Sequence, residues 1–442
     1  MSIIRKNISS LFTMSPSRIY DLSFRFLIIF LPFATLFSVF FREKLGIPRI
    51  SFIKELCILI MLCVILIEYL RGKLHIIWTR YDLAIWLYAL ILIVVTFSTT
   101  GITGLIYGGR YDFAFLVLFF IVYHGSWLLE QKHVYYIRLF LISSGVALFL
   151  SMLLKWPLSE DILLYFGYSG NPSNWEFGSS VPIFHGVEGA NVRRFQGIFD
   201  GPNTMGAFLL IYLGIFVYYF RQYKAWYFVL GLFTLGMITL VNYTYSRSAQ
   251  LGYIGGMGII ALLSFGYLYR HYKVQMVSLI VLFIIGFWVL LLQYGGNLQA
   301  IIERSGSSKG HAERMIIWVQ RAVEYPLGQW LWSAGPGYRY ILDLEKLSRP
   351  EIEKLDVTYI PESWYIQQFV EWGFLWGILF ILIMFLFLQW LYRVHIILAG
   401  TFLSILIMNF FLHTFESSLI SLSLFLLIGL LLSPHTSQKH AA

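Results

Sequence analysis

RFQGIFDGPNTMGAFLLIYLGIFVYYF, residues Arg194 to Phe220, passes in one step from a turn rich in glycine and proline into an apolar run long enough for a bilayer. Gly197, Gly201 and Pro202 fit a loop that continues neither strand nor helix, and Asn203 reads as the N-cap of TMGAFLLIYLGIFVYYF. That run approaches the ~20 residues needed to cross a hydrocarbon core. An arginine beside a helix start is an arrangement suited to an anion. The simpler reading makes Arg194 an interfacial anchor and Pro202-Asn203 a plain helix entry.

Working outward, composition sets the class. Of 442 residues, 58% are hydrophobic and 12% charged, and the mean hydropathy is +0.73. A soluble domain is neither so apolar nor so poor in charge, so the chain reads as an all-α polytopic membrane protein. Its net charge of +9 resides largely in short loops between apolar runs. Orientation and contact with anionic membrane lipids account for it, and nucleic acid is not expected as a partner. Cys57 and Cys63 lie six apart in one apolar segment, on different helix faces, which argues against a disulfide or a metal site.

About twelve spans follow at bilayer length, near 22–40, 52–70, 82–98, 111–129, 134–154, 204–220, 225–242, 249–269, 275–293, 364–388, 394–412 and 417–432. Basic residues follow the even-numbered spans: Arg71 and Lys73, Lys132, Arg221 and Lys224, Arg270 and Lys273, and Arg393. Both termini are therefore expected in the cytoplasm. The first outward loop, with Arg42, Lys44, Arg49 and Lys54, breaks that pattern, and lipid phosphate contact is its only ready account. The chain divides into spans one to five (1–154), a first long outward loop (155–203), spans six to nine (204–293), a second long outward loop with short helices (294–363), and spans ten to twelve with a cytoplasmic tail (364–442). The first of these loops reads as irregular.

Three more polar groups, Arg247, Arg314 and Glu362, are expected at the outward face beside that turn. Arg247 directly follows a span in NYTYSRSAQ, where the basic bias predicts few cations. Arg314, Trp318 and Arg321 share one face of a helix predicted from His311 to Glu324, a face able to hold an anion and lay an aromatic ring on a sugar, or alternatively to rest on the membrane. Glu362 opens the tenth span in PESWYIQQFVEWGFLWG, where it either complements the helix dipole or acts as a general base. Glu371, two turns further in, should face a polar interior. His413 and Glu416 end the eleventh span and either line the same cavity or mark the interface.

These motifs together resemble the bacterial O-antigen ligase and polymerase superfamily (Wzy/WaaL-type). R-x-x-G-x-F-x-x-P-N stands at Arg194 to Asn203 with Gly206 beyond; T-x-S-R at Thr244 to Arg247; R-x-x-x-W with P-L-G at Arg314, Trp318 and Pro326 to Gly328; and a glycine-bearing helix motif at Trp364 to Gly377. The resemblance covers about residues 190–380. It implies a twelve-span, GT-C-like glycosyltransferase in the bacterial inner membrane, with its active site toward the periplasm. Ligases of this type carry His-Asn where this chain has Glu362-Ser363, which brings it closer to the polysaccharide polymerases. The compact glycine turn expected after P-L-G is stretched here to GQWLWSAGPG.

A sugar on a lipid diphosphate brings its own leaving group, so the chemistry requires charge stabilisation and neither cofactor nor metal. Arginine can supply that, being always charged and bidentate toward phosphate. Arg194, Arg247 and Arg314 are the expected diphosphate ligands and Glu362 the expected base; Asn203, Trp318, Arg321, His413 and Glu416 are further candidates for substrate contact. The expected partners are an undecaprenyl-pyrophosphate-linked glycan donor, a glycan acceptor and a chain-length regulator. A ligase acting on lipid A core and a lipid-linked glycan transporter or flippase are the competing readings.

Overall fold

The computed structural model describes residues 15–47, 50, 52–74, 76, 78–171, 181–183, 186–187, 190–223, 227–256, 258–259, 315–317, 319–320, 322–324, 326 and 363–433. These residues are mostly helical. In order they form α1 (Pro16–Phe30), a 3-10 turn Leu31–Phe33, α2 (Ala34–Leu45), α3 (Ile53–Leu70), α4 (Arg80–Asp112, interrupted by a kink at Gly101 with φ 68°), α5 (Ala114–Gly125), α6 (His133–Lys155), α7 (Ile162–Tyr165), strands β1 (Gly186–Val187) and β2 (Ala190–Arg193), α8 (Pro202–Phe220), α9 (Tyr227–Tyr243) and α10 (residues 247–256). After these come α11 (Trp364–Trp372), α12 (Phe374–Val394), α13 (Ile396–Met408), a 3-10 turn Thr414–Glu416 and α14 (Ser418–Leu432).

Among the described residues four helices are long and apolar enough to cross a membrane: Pro16–Leu45 taken through its 3-10 turn, His133–Lys155, Pro202–Phe220 and Phe374–Val394. Shorter apolar helices accompany them, among them Ala114–Leu128, Ile396–Met408 and Ser418–Leu432. Large side chains fill the spaces between, with Phe115, Phe119, Phe140, Phe199 and Phe208 fully buried. Leu83, Phe149, Leu375 and Phe385, by contrast, face outward, as an apolar solvent permits.

The helices run alternately between two ends. At one, His124 at the end of α5 contacts Asp82 at the start of α4 at 3.0 Å, and Ser126 bonds Ser433 after α14. At the other, Arg110 near the end of α4 meets Glu55 at the start of α3 at 2.5 Å, and Lys155 closing α6 donates to the Arg193 carbonyl at 3.2 Å. The expected active-site turn lies at this second end.

Several details differ from the sequence reading. The first long loop is not wholly irregular: it contains α7 and an antiparallel β1–β2 pair, with Gly186 opposite Arg193 and Val187 opposite Ala190. The single span expected over 364–388 is broken at Gly373, whose φ of 88° lies where helices stop. Beyond the break α12 doubles back along α11, since the Trp364 ring sits 6.4 Å from Phe380 and Phe369 sits 5.3 Å from Phe374. The eleventh span ends early, at Met408. With 13 and 15 residues, α13 and α14 rise only about 20 and 22 Å, short of the ~30 Å of a hydrocarbon core. Residues 409–417, with the 3-10 turn Thr414–Glu416 among them, join the two helices, and at membrane depth such non-α-helical backbone requires protein or a cavity around it.

Candidate active site

The turn Arg194–Asn203 is fastened from several sides. Gly197 has φ 61°, and a Cβ there would fall 2.2 Å from the Cβ of Ser151, so this position admits only glycine without displacement. Ser151 Oγ accepts from the Ile198 amide at 3.2 Å, and the Tyr168 hydroxyl donates to the Ile198 carbonyl at 2.6 Å. Gln196 donates to the carbonyls of Pro182 and Phe199, both at 2.9 Å. Glu160, buried beneath, accepts from the backbone amides of Gln196 and Gly197. Its carboxyl is raised above the ordinary value because burial outweighs those bonds and the cations Lys155 and Arg193.

Asn203 is not the N-cap. Pro202 opens α8 and Gly201 precedes it as cap, because proline's fixed φ suits the first helical position and its missing N–H costs nothing there. Asn203, one residue inside the helix, turns its side chain to the arginine: Arg194 Nη2 donates to Asn203 Oδ1 at 2.8 Å. Arg194 Nε donates to the Thr244 carbonyl at 2.9 Å, and the adjacent Phe195 amide donates to the Tyr243 carbonyl, also at 2.9 Å.

Two motifs separated by some forty residues of chain thus meet through one guanidinium. Gly206 tightens the contact from below, since a Cβ there would lie 2.7 Å from the Cβ of Ala249. Between α9 and α10 the chain turns at Tyr245, the one non-glycine residue with positive φ (50°) among those described, a conformation that costs energy and is retained at functional turns. Ser246 Oγ then accepts from the Ala249 amide at 3.4 Å, which starts α10 and makes half-buried Arg247 its first residue.

A second polar group forms where α11 meets the 409–417 segment. Gln367 Nε2 donates to Glu371 Oε1 at 3.0 Å and to Glu416 Oε1 at 2.8 Å, so one buried amide ties two carboxylates. Tyr88 donates to Gln368 Oε1 at 2.6 Å. The Trp364 amide and the Ser363 hydroxyl both donate to the Asn409 carbonyl, at 2.9 and 3.4 Å, and Asn409 Oδ1 accepts from the Phe415 amide at 3.3 Å. His413 is joined to Glu416 through its carbonyl at 3.0 Å. The polar surroundings expected for Glu371 are these glutamine and glutamate partners.

The structure therefore brings Arg194, Asn203 and the Thr244–Arg247 element together, and separately joins Glu416 to Glu371. Asp200 of the Arg194–Asn203 turn and Ser417, next to Glu416 in the chain, line one cavity. Glu362, Arg314, Trp318 and Arg321 lie outside the described residues. Ser363, next to Glu362 in the chain, is placed beside Asn409, and Ala322, next to Arg321, packs with Val370 of α11. Sequence reasoning missed Gln367, Gln368 and Tyr88, which resemble ordinary span residues; glutamine pairs inside an apolar run are the signal that was available. For Arg42 and Lys54 it offered only lipid phosphate contact. No protein-family model matches the chain, and no curated protein matches it in sequence.

Proposed function

We propose that the chain is a membrane glycosyltransferase that joins oligosaccharide repeat units carried on undecaprenyl diphosphate, in the manner of the O-antigen polymerases and ligases it resembles. On this reading it has about twelve spans in a GT-C-like arrangement, lies in the bacterial inner membrane with both termini cytoplasmic, and holds its substrates on the periplasmic side. The observation that carries the reading is the Arg194 bridge. Two of the four motifs behind the resemblance converge through it, at the end of the bundle where α13 and α14 stop short.

In the proposed reaction Arg247 and Arg194, with Arg314, stabilise the diphosphate. An acceptor hydroxyl oxygen forms a bond to the anomeric carbon as the carbon–oxygen bond to the diphosphate breaks. The bonding pair leaves with the diphosphate, the hydroxyl proton passes to Glu362, and the anomeric centre inverts. Arg194 also acts as a positioning residue, because at least two of its N–H groups hold Asn203 and Thr244. Incubating the purified chain in nanodiscs with undecaprenyl-diphosphate-linked repeat units tests the proposal: lengthened glycan on the lipid is expected, and unchanged substrate contradicts it.

The helix pair broken at Gly373 favours a second reading, a lipid-linked glycan transporter, since discontinuous helices line many transport sites. Movement of lipid-linked glycan between leaflets without new glycosidic bonds would select it.

A further inference from the structure

At the same end of the bundle, a cavity of about 190 Å³ opens between α2, α3, α4, the Arg194–Asn203 turn and the start of α14. Arg42 from the last turn of α2, Lys54 from the first turn of α3 and Arg110 near the end of α4 line it, with Ser38, Asp200 and Ser417. Gathering three cations around one void is unfavourable by itself. Carboxylates placed behind them make it tolerable: Glu55 is 2.5 Å from Arg110 and 3.7 Å from Lys54, and Glu43 is 2.6 Å from Arg42. Neither glutamate is part of the lining, to which Asp200 alone among the described residues brings negative charge. Ser417 is the N-cap of the 15-residue α14, so a helix N-terminus adds its partial positive charge at the same wall. The Arg110 guanidinium lies 4.6 Å over the Phe52 ring, which fixes its plane. At about 30 Å³ per water, the space is far larger than one solvent molecule and of a size for phosphoryl groups.

We propose that this cavity binds a phosphate or diphosphate headgroup, with Arg42, Lys54 and Arg110 as its cationic walls. The identity of the ligand rests on the glycosyltransferase reading: chain extension uses two lipid diphosphates, one on the donor and one on the acceptor, and the cavity supplies the second anion site. Asp200 belongs to the same ten-residue turn as Arg194, so occupancy of the cavity bears directly on the element that positions the first.

Calorimetric titration of the full chain in phosphatidylcholine nanodiscs with inorganic pyrophosphate tests this. Saturable binding is expected. Arg42→Gln and Arg110→Gln should each weaken it about tenfold or more, as the loss of a charge-assisted contact does, and Asp200→Asn should tighten it. Arg110 also holds Glu55, so Arg42→Gln, in a partly exposed position, decides the matter, with its unfolding temperature as the check on folding. Adding undecaprenyl phosphate to the nanodiscs separates the sources: displacement of pyrophosphate identifies a lipid headgroup, and no displacement identifies a free phosphate. Equal affinity in the wild type and Arg42→Gln, or no saturable binding, overturns the proposal. Binding is read without chemistry, so the two readings fail separately. A chain that binds here but transfers no glycan keeps this site and loses the transferase function; one that transfers glycan while Arg42→Gln binds like the wild type does the reverse.

Discussion

Arg194 donates to Asn203 Oδ1 at 2.8 Å from one nitrogen and to the Thr244 carbonyl at 2.9 Å from another, so a single planar group fixes the start of α8 against the end of α9. Lysine cannot reproduce that geometry, because its ammonium is a compact point charge without a planar fork. Arg194→Lys is therefore expected to lower glycan transfer by about tenfold or more, and Asn203→Asp, which keeps the acceptor, to lower it less. Initial rates of the two variants at saturating lipid-linked substrate check the order; equal rates contradict it.

Gly197→Ala is expected to destabilise the fold from two causes. Left-handed backbone costs a non-glycine residue about 1–2 kcal/mol, and the new methyl group meets Ser151, adding an overpacking cost of about 1–3 kcal/mol. A lower unfolding temperature in detergent is the readout. Ser151→Gly in the same chain should recover at most the second part, less the Ile198 amide bond it removes and the ~1 kcal/mol of glycine in a helix.

Gly206 and Ala249 form a close helix contact that a double-mutant cycle resolves. Gly206→Ala alone should cost about 1–3 kcal/mol by overpacking. Adding Ala249→Gly should recover most of this, less the ~1 kcal/mol of glycine in a helix. Additive losses would show that the two positions do not touch.

Glu160 gives a pH signature. Its folded carboxyl is raised by burial, so across the window from the ordinary glutamate value, about 4.3, up to its folded value the native state holds the proton more tightly than the unfolded state does. Stability from this group is present below that window and is lost as pH rises through it. Glu160→Gln removes the titration, so the variant should gain on the wild type in unfolding temperature as pH rises through the window. A pH-independent difference contradicts this.

The apolar runs made most of the helices legible, because hydrocarbon leaves a chain little choice but to bond its own backbone. Arg194 and the TYSR element were legible as polar groups at span ends, and their meeting through the Thr244 carbonyl was not, since backbone acceptors leave no mark in side-chain patterns. Asn203 was misassigned because a capping asparagine and one facing an arginine look alike in sequence. Hydropathy alone did not foresee the reversal at Gly373 or the early end of α13, for the run from Trp364 to Val394 is nearly continuous and only packing reveals the turn. The basic loop of Arg42 and Lys54 was visible as an anomaly; Arg110, half a hundred residues on, was needed to make it a cavity.

The most direct test of the central claim is transfer of glycan from undecaprenyl diphosphate by purified wild type, Arg194→Ala, Arg247→Ala and Glu362→Gln, each shown to be folded in the membrane. If the arginines stabilise a departing diphosphate and Glu362 takes the proton, each variant loses about 10²–10³ in rate, as removal of one oxyanion donor does elsewhere. Rates near wild type in all three would contradict the account.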